Sequence, residues 1–334
     1  MKLLLLFVIL SSAIQAQWIK QDVETEASLR GLSVVNEKVV WASGTGGTVI
    51  RTIDGGKTWK VMTVPGSDKL DFRDIEAFDA KTAYILSIGK GESSRIYKTV
   101  NGGATWKLEF KNSDPKAFYD AIACWDNYSC IAVSDPVDGK YVFIRNFGGD
   151  QWTVIESPLP AVASEGQAAF AASGTCLITT SLHHAAMLAT GGVKSEVFTT
   201  DNNGAFWKAS NTPIVAGTSG SGIFSIDMYN GKAVIVGGNY EKPDEAKNNL
   251  AFSTDGGKTW TLGTGLTGYR SAVAYIDRKS IIAVGTNGTD ITRDGGKTWK
   301  KIGDENLNSV AAKGSRSVWA VGPEGTVLKM KTLN

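Results

Sequence analysis

A short segment of the form Thr/Ser-x-Asp-Gly-Gly-Lys-Thr-Trp recurs along this chain and constrains its fold more than any other feature. Clear copies occupy residues 52–59, 253–260 and 292–299, and less regular ones occupy 99–106, 145–152 and 200–207. An Asp or Asn at the third position can accept hydrogen bonds from nearby backbone amides, and the glycines supply positive φ. We therefore interpret each copy as a turn between two strands, whose structural acceptors are Asp54, Asn101, Asn202, Asp255 and Asp294.

The spacing of these copies predicts a propeller. Their tryptophans follow one another at intervals of 47, 46, 55, 53 and 39 residues, which is the period of four-stranded blades. The second repeat shows four strands in order, over residues 74–78, 82–88, 95–99 and 105–110. The corresponding first strands are expected around Leu32, Ala121, Ala168, Phe224 and Ala272.

The two ends of the chain are predicted to complete one blade together. Three strands follow the last copy, over residues 309–312, 317–321 and 326–331, and Trp18 belongs to a segment that resembles a fourth strand without its first three. Pairing of the ends would remove exposed sheet edges. We therefore predict an all-β fold, a single seven-bladed propeller domain over residues 17–334 in which the N-terminal strand closes the last blade (3+1).

Residues 1–16 have the pattern of a secretory signal peptide, with Lys2, an apolar run and small residues up to Ala16. Cleavage near Ala16 would give a secreted or periplasmic protein, and no later segment is apolar for long enough to span a membrane. The net charge of +2, which falls to +1 without Lys2, gives no electrostatic reason to expect nucleic acid. A monomer is expected.

The cysteines fit that compartment without proving it. Cys124 and Cys130 flank a predicted hairpin turn, so they either form a disulfide across two strands or are two small buried residues. Cys176 lies in an apolar run and is expected to be a buried thiol.

These features together resemble the photosystem II stability/assembly factor family, within the wider class of Asp-box, or bacterial neuraminidase repeat, propellers. The resemblance is carried by the DGGKTW boxes, the seven units, the leader and the segment DFRDIEAF at residues 71–78. It implies a binding protein without catalysis, whose boxes lie on the face opposite the functional one. Asp boxes also occur in glycosidases, so the motif is weak evidence for activity.

The candidate site is the axial mouth on that opposite face. Charged residues precede the predicted first strands of five repeats, and tyrosines accompany two of them: Arg30, Arg73, Tyr119, Asp120, Glu165, Tyr269 and Arg270. First strands line the axis of a propeller, so these side chains should converge there. They form either a self-neutralising ring or a binding site for an anionic or polyhydroxylated ligand.

Loops between second and third strands should form an outer wall around the mouth. They contribute Glu92, Asp135 and Tyr240, and the long loop over residues 179–194 contributes His183 beside His184. The paired histidines lack a spaced partner, so no metal site is expected. The glycine clusters at residues 44–47 and 285–288 precede strands rather than helices, so no cofactor is expected either.

Two functions remain open at this point. The favoured one is an extracytoplasmic binding scaffold that recognises a protein partner or a glycan at the mouth. The alternative is a sialidase-like glycoside hydrolase with Asp120 and Glu165 as its two carboxylates and the arginines as a clamp. The start motif of the sialidases, of Arg-Ile-Pro type, is absent, because Asp74 follows Arg73.

Overall fold

The computed structural model describes residues 17–148, 151–157, 161–180 and 184–331. Over these residues the strands form seven four-stranded antiparallel blades, which we number in chain order. The predicted signal peptide lies outside the described residues.

Blades 1 to 3 follow the predicted order closely. In blade 1 the strands are Leu29–Val34, Val40–Gly44, Thr48–Thr52 and Lys60–Thr63. In blade 2 they are Phe72–Ala77, Ala83–Ser87, Arg95–Thr99 and Lys107–Lys111, with a 3-10 turn at Gly91–Ser93. In blade 3 they are Tyr119–Asp126, Ser129–Val137, Lys140–Phe147 and Thr153–Val154.

Blades 4 to 6 repeat the same order, with one addition. In blade 4 the strands are Leu177–Thr180, Ala185–Ala189, Glu196–Thr200 and Lys208–Asn211. In blade 5 they are Ser221–Tyr229, Lys232–Asn239, Leu250–Ser253 and Thr261–Leu262, and in blade 6 Ala272–Tyr275, Ile281–Gly285, Gly288–Thr292 and Lys300–Gly303. The short strands Gln167–Ala168 and Gly191–Gly192 pair with each other and extend the sheet of blade 5.

Blade 7 confirms the closure by both ends of the chain. Its strands Ser309–Ala312, Val318–Val321 and Val327–Met330 are completed by the N-terminal strand Trp18–Lys20, which pairs antiparallel with the third strand. Blade 7 then contacts blade 1, where the Asn308 side-chain amide donates to the Leu29 carbonyl at 2.9 Å. Hydrogen bonds therefore close the ring at two places, within blade 7 between the two ends of the chain and between blade 7 and blade 1.

The boxes are turns, as predicted. In the first, the Thr58 amide and hydroxyl donate to the two carboxylate oxygens of Asp54 at 3.0 and 2.6 Å, and the Thr52 hydroxyl accepts from the Gly56 amide at 2.9 Å. Asn101, Asn202, Asp255 and Asp294 accept the equivalent amide bonds in their own boxes. These turns join third and fourth strands, so they mark one face of the ring, here called the box face.

The box tryptophans join neighbouring blades. Trp59 packs edge-on against Trp319 of blade 7 with ring centroids 5.6 Å apart, and Trp207 stacks on Phe143 of blade 3 at 4.3 Å. Trp18, on the closing strand, packs in the core between blades 6 and 7. The residue that predicts the blade spacing therefore also fills the interface between blades.

Two local predictions were wrong. The segment around Ala168 is not the first strand of blade 4, which begins at Leu177. Residues 179–194 are not one long loop either, because the second strand Ala185–Ala189 lies within them. The first strand was assigned to the wrong segment because apolar residues run through both segments, and apolar content alone does not separate them.

Candidate binding site at the axial mouth

A segment that lies between blades 3 and 4 in the chain crosses the axis of the ring. We call this segment, residues 169–175, the plug. Its Ala169 amide donates to Asp135 of blade 3 at 3.0 Å, and its Ser173 hydroxyl donates to the Ser271 carbonyl beside blade 6 at 3.0 Å. Phe170 stacks on Phe224 of blade 5 with centroids 4.1 Å apart. The axis is therefore occupied by the protein's own backbone and not left as an open channel.

Arg30 and Arg73 hold the plug from blades 1 and 2. The Arg30 guanidinium donates to the Ala172 carbonyl at 2.9 Å, and the Arg73 guanidinium donates to the Ala171 carbonyl at 3.1 Å. Arg73 also forms an ion pair with Asp71 at 2.7 Å. Each guanidinium carries five N–H donors, so both retain donors that the plug does not use.

The two guanidiniums border a cavity of about 350 Å³, which is the axial mouth. Burial lowers the pKa of Arg30, and the neighbouring charge of Arg73 lowers it further. Two like charges held at the same cavity favour an anionic ligand between them. The mouth is thus electropositive on the side of blades 1 and 2.

The other side of the mouth is aromatic. Tyr269 packs edge-on against Phe224 at 4.8 Å, and Tyr240 does so at 6.1 Å. Tyr269 is buried, and burial raises its pKa, whereas the Tyr240 side chain is 48 % exposed. The mouth therefore offers a flat apolar surface beside two cations, with one tyrosine free to cover a ligand.

Four of the predicted site residues meet at this mouth: Arg30, Arg73, Tyr240 and Tyr269. Sequence reasoning missed Phe170 and Phe224, and it missed the plug. The available signal was the small-residue run AAFAASGT at residues 168–175, within an unusually long interval of 55 residues between Trp152 and Trp207.

Arg270 is placed differently from the prediction. It is fully buried and forms an ion pair with Asp290, which is also fully buried. Its Nη1 donates to Asn287 and the Tyr269 carbonyl, and its Nη2 also donates to Thr267. All of its guanidinium donors are bonded inside the protein, so only two of the three arginines expected to form the clamp reach the mouth.

Asp120 and Tyr119 lie inside blade 3 rather than at the mouth. Asp120 is 1 % exposed, and burial followed by the nearby Asp135 raises its pKa well above the usual range. Tyr119 is buried and packs edge-on against Phe110 at 5.2 Å. Asp135 itself is bonded to the plug, and burial raises its pKa to about 6.

The remaining predicted residues lie elsewhere on the surface. Glu165 is exposed on a turn before the plug, and Glu92 is exposed and paired with Lys111 at 2.8 Å. His183 lies outside the described residues. His184 is on the box face, where its carbonyl accepts from the Asn203 amide of the blade 4 box at 3.2 Å.

Cys124 and Cys130 form a disulfide between paired positions of the first two strands of blade 3. Cys176 is a buried free thiol. Within the described ranges, no group of three or more His, Cys, Asp or Glu side chains is arranged to hold a metal ion. No helix in the described part of the chain has the length and hydropathy needed to cross a membrane.

Comparison with known families agrees with this architecture. Residues 10–123 match the family model described as photosynthesis system II assembly factor YCF48, and residues 251–262 and 290–301 match the BNR/Asp-box repeat. The chain is thus similar to photosystem II assembly factors and to Asp-box propellers over these segments. Among curated proteins, none matches the chain significantly.

Solved structures share the fold at low sequence identity. YCF48 from Cyanidioschyzon merolae is 17 % identical with a TM-score of 0.69, over 96 % of this chain and all of the other. YCF48 bound to a D1 peptide is 16 % identical with a TM-score of 0.69, over 97 % of this chain and 100 % of the other. A catalytically inactive virginiamycin B lyase from Staphylococcus aureus, with quinupristin, is 11 % identical with a TM-score of 0.69, over 96 % and 100 %. Binding proteins and an enzyme thus share this ring, and the fold alone does not separate them.

Proposed function

We propose that this chain is an extracytoplasmic, non-catalytic binding propeller of the assembly-factor type, which holds a carboxylate-bearing segment of a partner protein at the axial mouth. The observation that carries the proposal is the pair of guanidiniums of Arg30 and Arg73, fixed on the plug beside an aromatic surface. A carboxylate can bridge two such cations, and an adjacent side chain can pack on Tyr240 and Phe224.

Three further observations support it. The structure of YCF48 with a D1 peptide shows that a propeller of this shape can hold a peptide. The leader at residues 1–16 and the disulfide between Cys124 and Cys130 fit an extracytoplasmic location. We also propose that the protein acts as a monomer, since its ring closes within one chain.

The geometry favours binding over glycoside hydrolysis. A hydrolase needs two carboxylates that both reach the substrate. Asp120 is almost completely buried, whereas Glu165 is exposed on a turn. Arg270, the third member of the expected clamp, is bonded entirely within the protein.

A peptide-binding experiment tests the proposal. Short capped peptides that carry Glu beside Tyr or Leu would be titrated against the wild type, the double variant Arg30→Gln/Arg73→Gln, and Tyr240→Ala. Loss of a charge-assisted hydrogen bond should weaken binding roughly tenfold or more for the double variant, with a strong dependence on salt. Arg293→Gln, an exposed arginine on the box face, is the matched control.

The arginine variants could weaken binding by disturbing the plug. Tyr240→Ala avoids this effect, because Tyr240 is half exposed and does not bond the plug. Equal affinity of all variants, with unchanged melting temperatures, would rule out the mouth as the recognition surface. A glycan array and an affinity capture from the native extracytoplasmic fraction, each compared between wild type and Tyr240→Ala, would identify the ligand class. Binding of a glycan alone would replace the protein partner in this proposal.

A further inference from the structure

A second cavity lies on the other side of the plug. This inner cavity measures about 490 Å³ and is lined by first strands of blades 1 to 5 and by plug residues such as Ser173 and Thr175. Asn230 and Gly231, in the turn between the first two strands of blade 5, also line it, which places its opening on the box face. The plug therefore separates it from the mouth.

The lining of the inner cavity is acidic. Asp74, Glu76 and Asp227 line it, and none of its described lining residues is a lysine, arginine or histidine. Asp74 accepts from the Ile122 amide at 2.7 Å, and Asp227 accepts from the Tyr275 amide at 2.6 Å. These two carboxylates therefore join first strands of adjacent blades, and backbone donors satisfy them.

Glu76 differs from them. It accepts no hydrogen bond from any described residue, and enclosure by the protein followed by the charge of Asp74 raises its pKa well above the usual range. A carboxylate in such a position is costly in its charged form. Glu76 is only partly buried, and an ammonium or guanidinium group in the cavity would stabilise its charged form and donate to its carboxylate.

A largely apolar groove adjoins the inner cavity. It measures about 460 Å³, runs between blades 4 and 5, and is lined by Met187, Phe206 and Met228. The charged residues Asp201, Lys208 and Lys258 also line it, so the groove is largely but not wholly apolar. Met228 and Gly231 line both spaces, so the groove and the inner cavity are adjacent.

Phe206 stands where the regular boxes have Thr, and its ring lines this groove. The regular boxes carry Thr at this position, and the hydroxyls of Thr58, Thr259 and Thr298 donate to their box carboxylates at 2.6 Å. Phe206 gives up that bond and leaves its ring 41 % exposed in the wall of the groove. Its backbone amide still donates to Asn202, but the ring adds no hydrogen bond to the turn, and an exposed aromatic ring is typical of a binding surface.

We propose that the box face carries a second binding site, which takes an extended polypeptide segment with a Lys or Arg side chain in the inner cavity and apolar side chains in the groove. Charge complementarity selects this occupant, since carboxylates without a lining cation are confined to the inner cavity, whereas the adjoining groove is largely apolar and is lined by Lys208 and Lys258. The site is opposite in sign to the mouth and on the opposite face. It goes beyond the function proposed for the mouth and does not depend on it.

Matched synthetic peptides provide the test. Capped, dye-labelled peptides with the sequence Gly-Lys-Leu-Leu-Gly, and the same peptides with norleucine or Glu in place of Lys, would be titrated by fluorescence anisotropy. The Lys peptide should bind, and both replacements should weaken binding about tenfold or more. Equal binding of all three peptides, or no binding of the Lys peptide at millimolar concentration, would overturn the proposal.

Two variants locate the binding. Glu76→Gln keeps the shape of the side chain without its charge, and Phe206→Thr restores the regular box residue, so both should stay folded. Each should weaken binding of the Lys peptide about tenfold. Glu165 is an exposed carboxylate outside both cavities, so Glu165→Gln should leave this binding unchanged. The double variant Arg30→Gln/Arg73→Gln should leave this binding unchanged, which separates the two sites.

A small-amine control completes the design. If lysine amide alone binds as tightly as the peptide, the groove contributes nothing, and the proposal of a polypeptide segment fails. If Glu76→Gln and Phe206→Thr both match the wild type, the peptide binds elsewhere, and the proposal fails as well.

Discussion

Arg270 illustrates how residue type alone misleads about a site. The sequence places it with Arg30 and Arg73 at the start of a first strand, yet only those two reach the mouth. Asp290 lies in the third strand of the same blade and neutralises Arg270 in the interior. The deciding factor is a partner 20 residues away in the chain, which no local pattern shows.

The buried pair makes a residue-scale prediction. Replacement of Arg270 by Met should lower the free energy of unfolding by about 3–5 kcal/mol, because Asp290 would remain as a buried charge without a partner. Urea unfolding of the purified variant measures this. The double variant Arg270→Met/Asp290→Asn should recover part of the loss, and a single-variant effect below about 1 kcal/mol would contradict the structural role.

At the scale of elements, the N-terminal strand is an important component because it contributes a whole edge of blade 7. Trp18 is 6 % exposed, packs between blades 6 and 7, and donates from its indole to the Thr289 hydroxyl at 3.2 Å. Three residues of strand thus hold the seam of the ring.

Loss of this strand should destabilise the whole ring. We expect removal of residues 17–23 to cost several kcal/mol and to expose a sheet edge that promotes aggregation. Trp18→Ala alone should cost about 3–5 kcal/mol, and Trp18→Phe, which keeps most of the packing, should cost less. Thermal unfolding and light scattering measure both effects. An unchanged melting temperature of the truncated chain would contradict closure by this strand.

Over the whole molecule, two sets of carboxylates change the stability in opposite directions as the pH changes. The hydroxyl and amide of Thr259 hold the pKa of Asp255 well below the usual range, and the equivalent threonines lower the pKa values of Asp54 and Asp294. Around the axis, burial raises the pKa of Asp74 to about 7 and that of Asp227 to about 6. The turns are thus stabilised by charged carboxylates, and the interior by neutral ones.

The resulting prediction is a stability maximum in mild acid. Lowered pKa values contribute stability that is lost as pH falls below about 4, the usual range of Asp. Raised pKa values contribute stability that is complete below about pH 4 and is lost as pH rises through 6 to 7. The urea midpoint should therefore fall from pH 5 to pH 8, and Asp227→Asn should flatten this fall. A midpoint that rises over that interval would contradict the assignment.

Much of the architecture could be predicted from the sequence because it repeats. The Asp, Gly and Trp positions of the boxes act locally, through turn hydrogen bonds and a bulky anchor, so their spacing alone predicted blade number, strand order and the closing strand around Trp18. The same periodicity placed Arg30, Arg73, Tyr240 and Tyr269 at one end of the ring, and the structure brings them together at the mouth.

What departs from the repeat was decided only in the tertiary structure. The plug at residues 169–175 is held by contacts to five blades that are distant in the chain, and its own composition resembles a strand. Burial separated Asp120 and Arg270 from the mouth, and the neighbouring blade decided that Phe206 faces a groove. Local patterns report turns and alternation, whereas the environment of a side chain depends on which distant segments close around it.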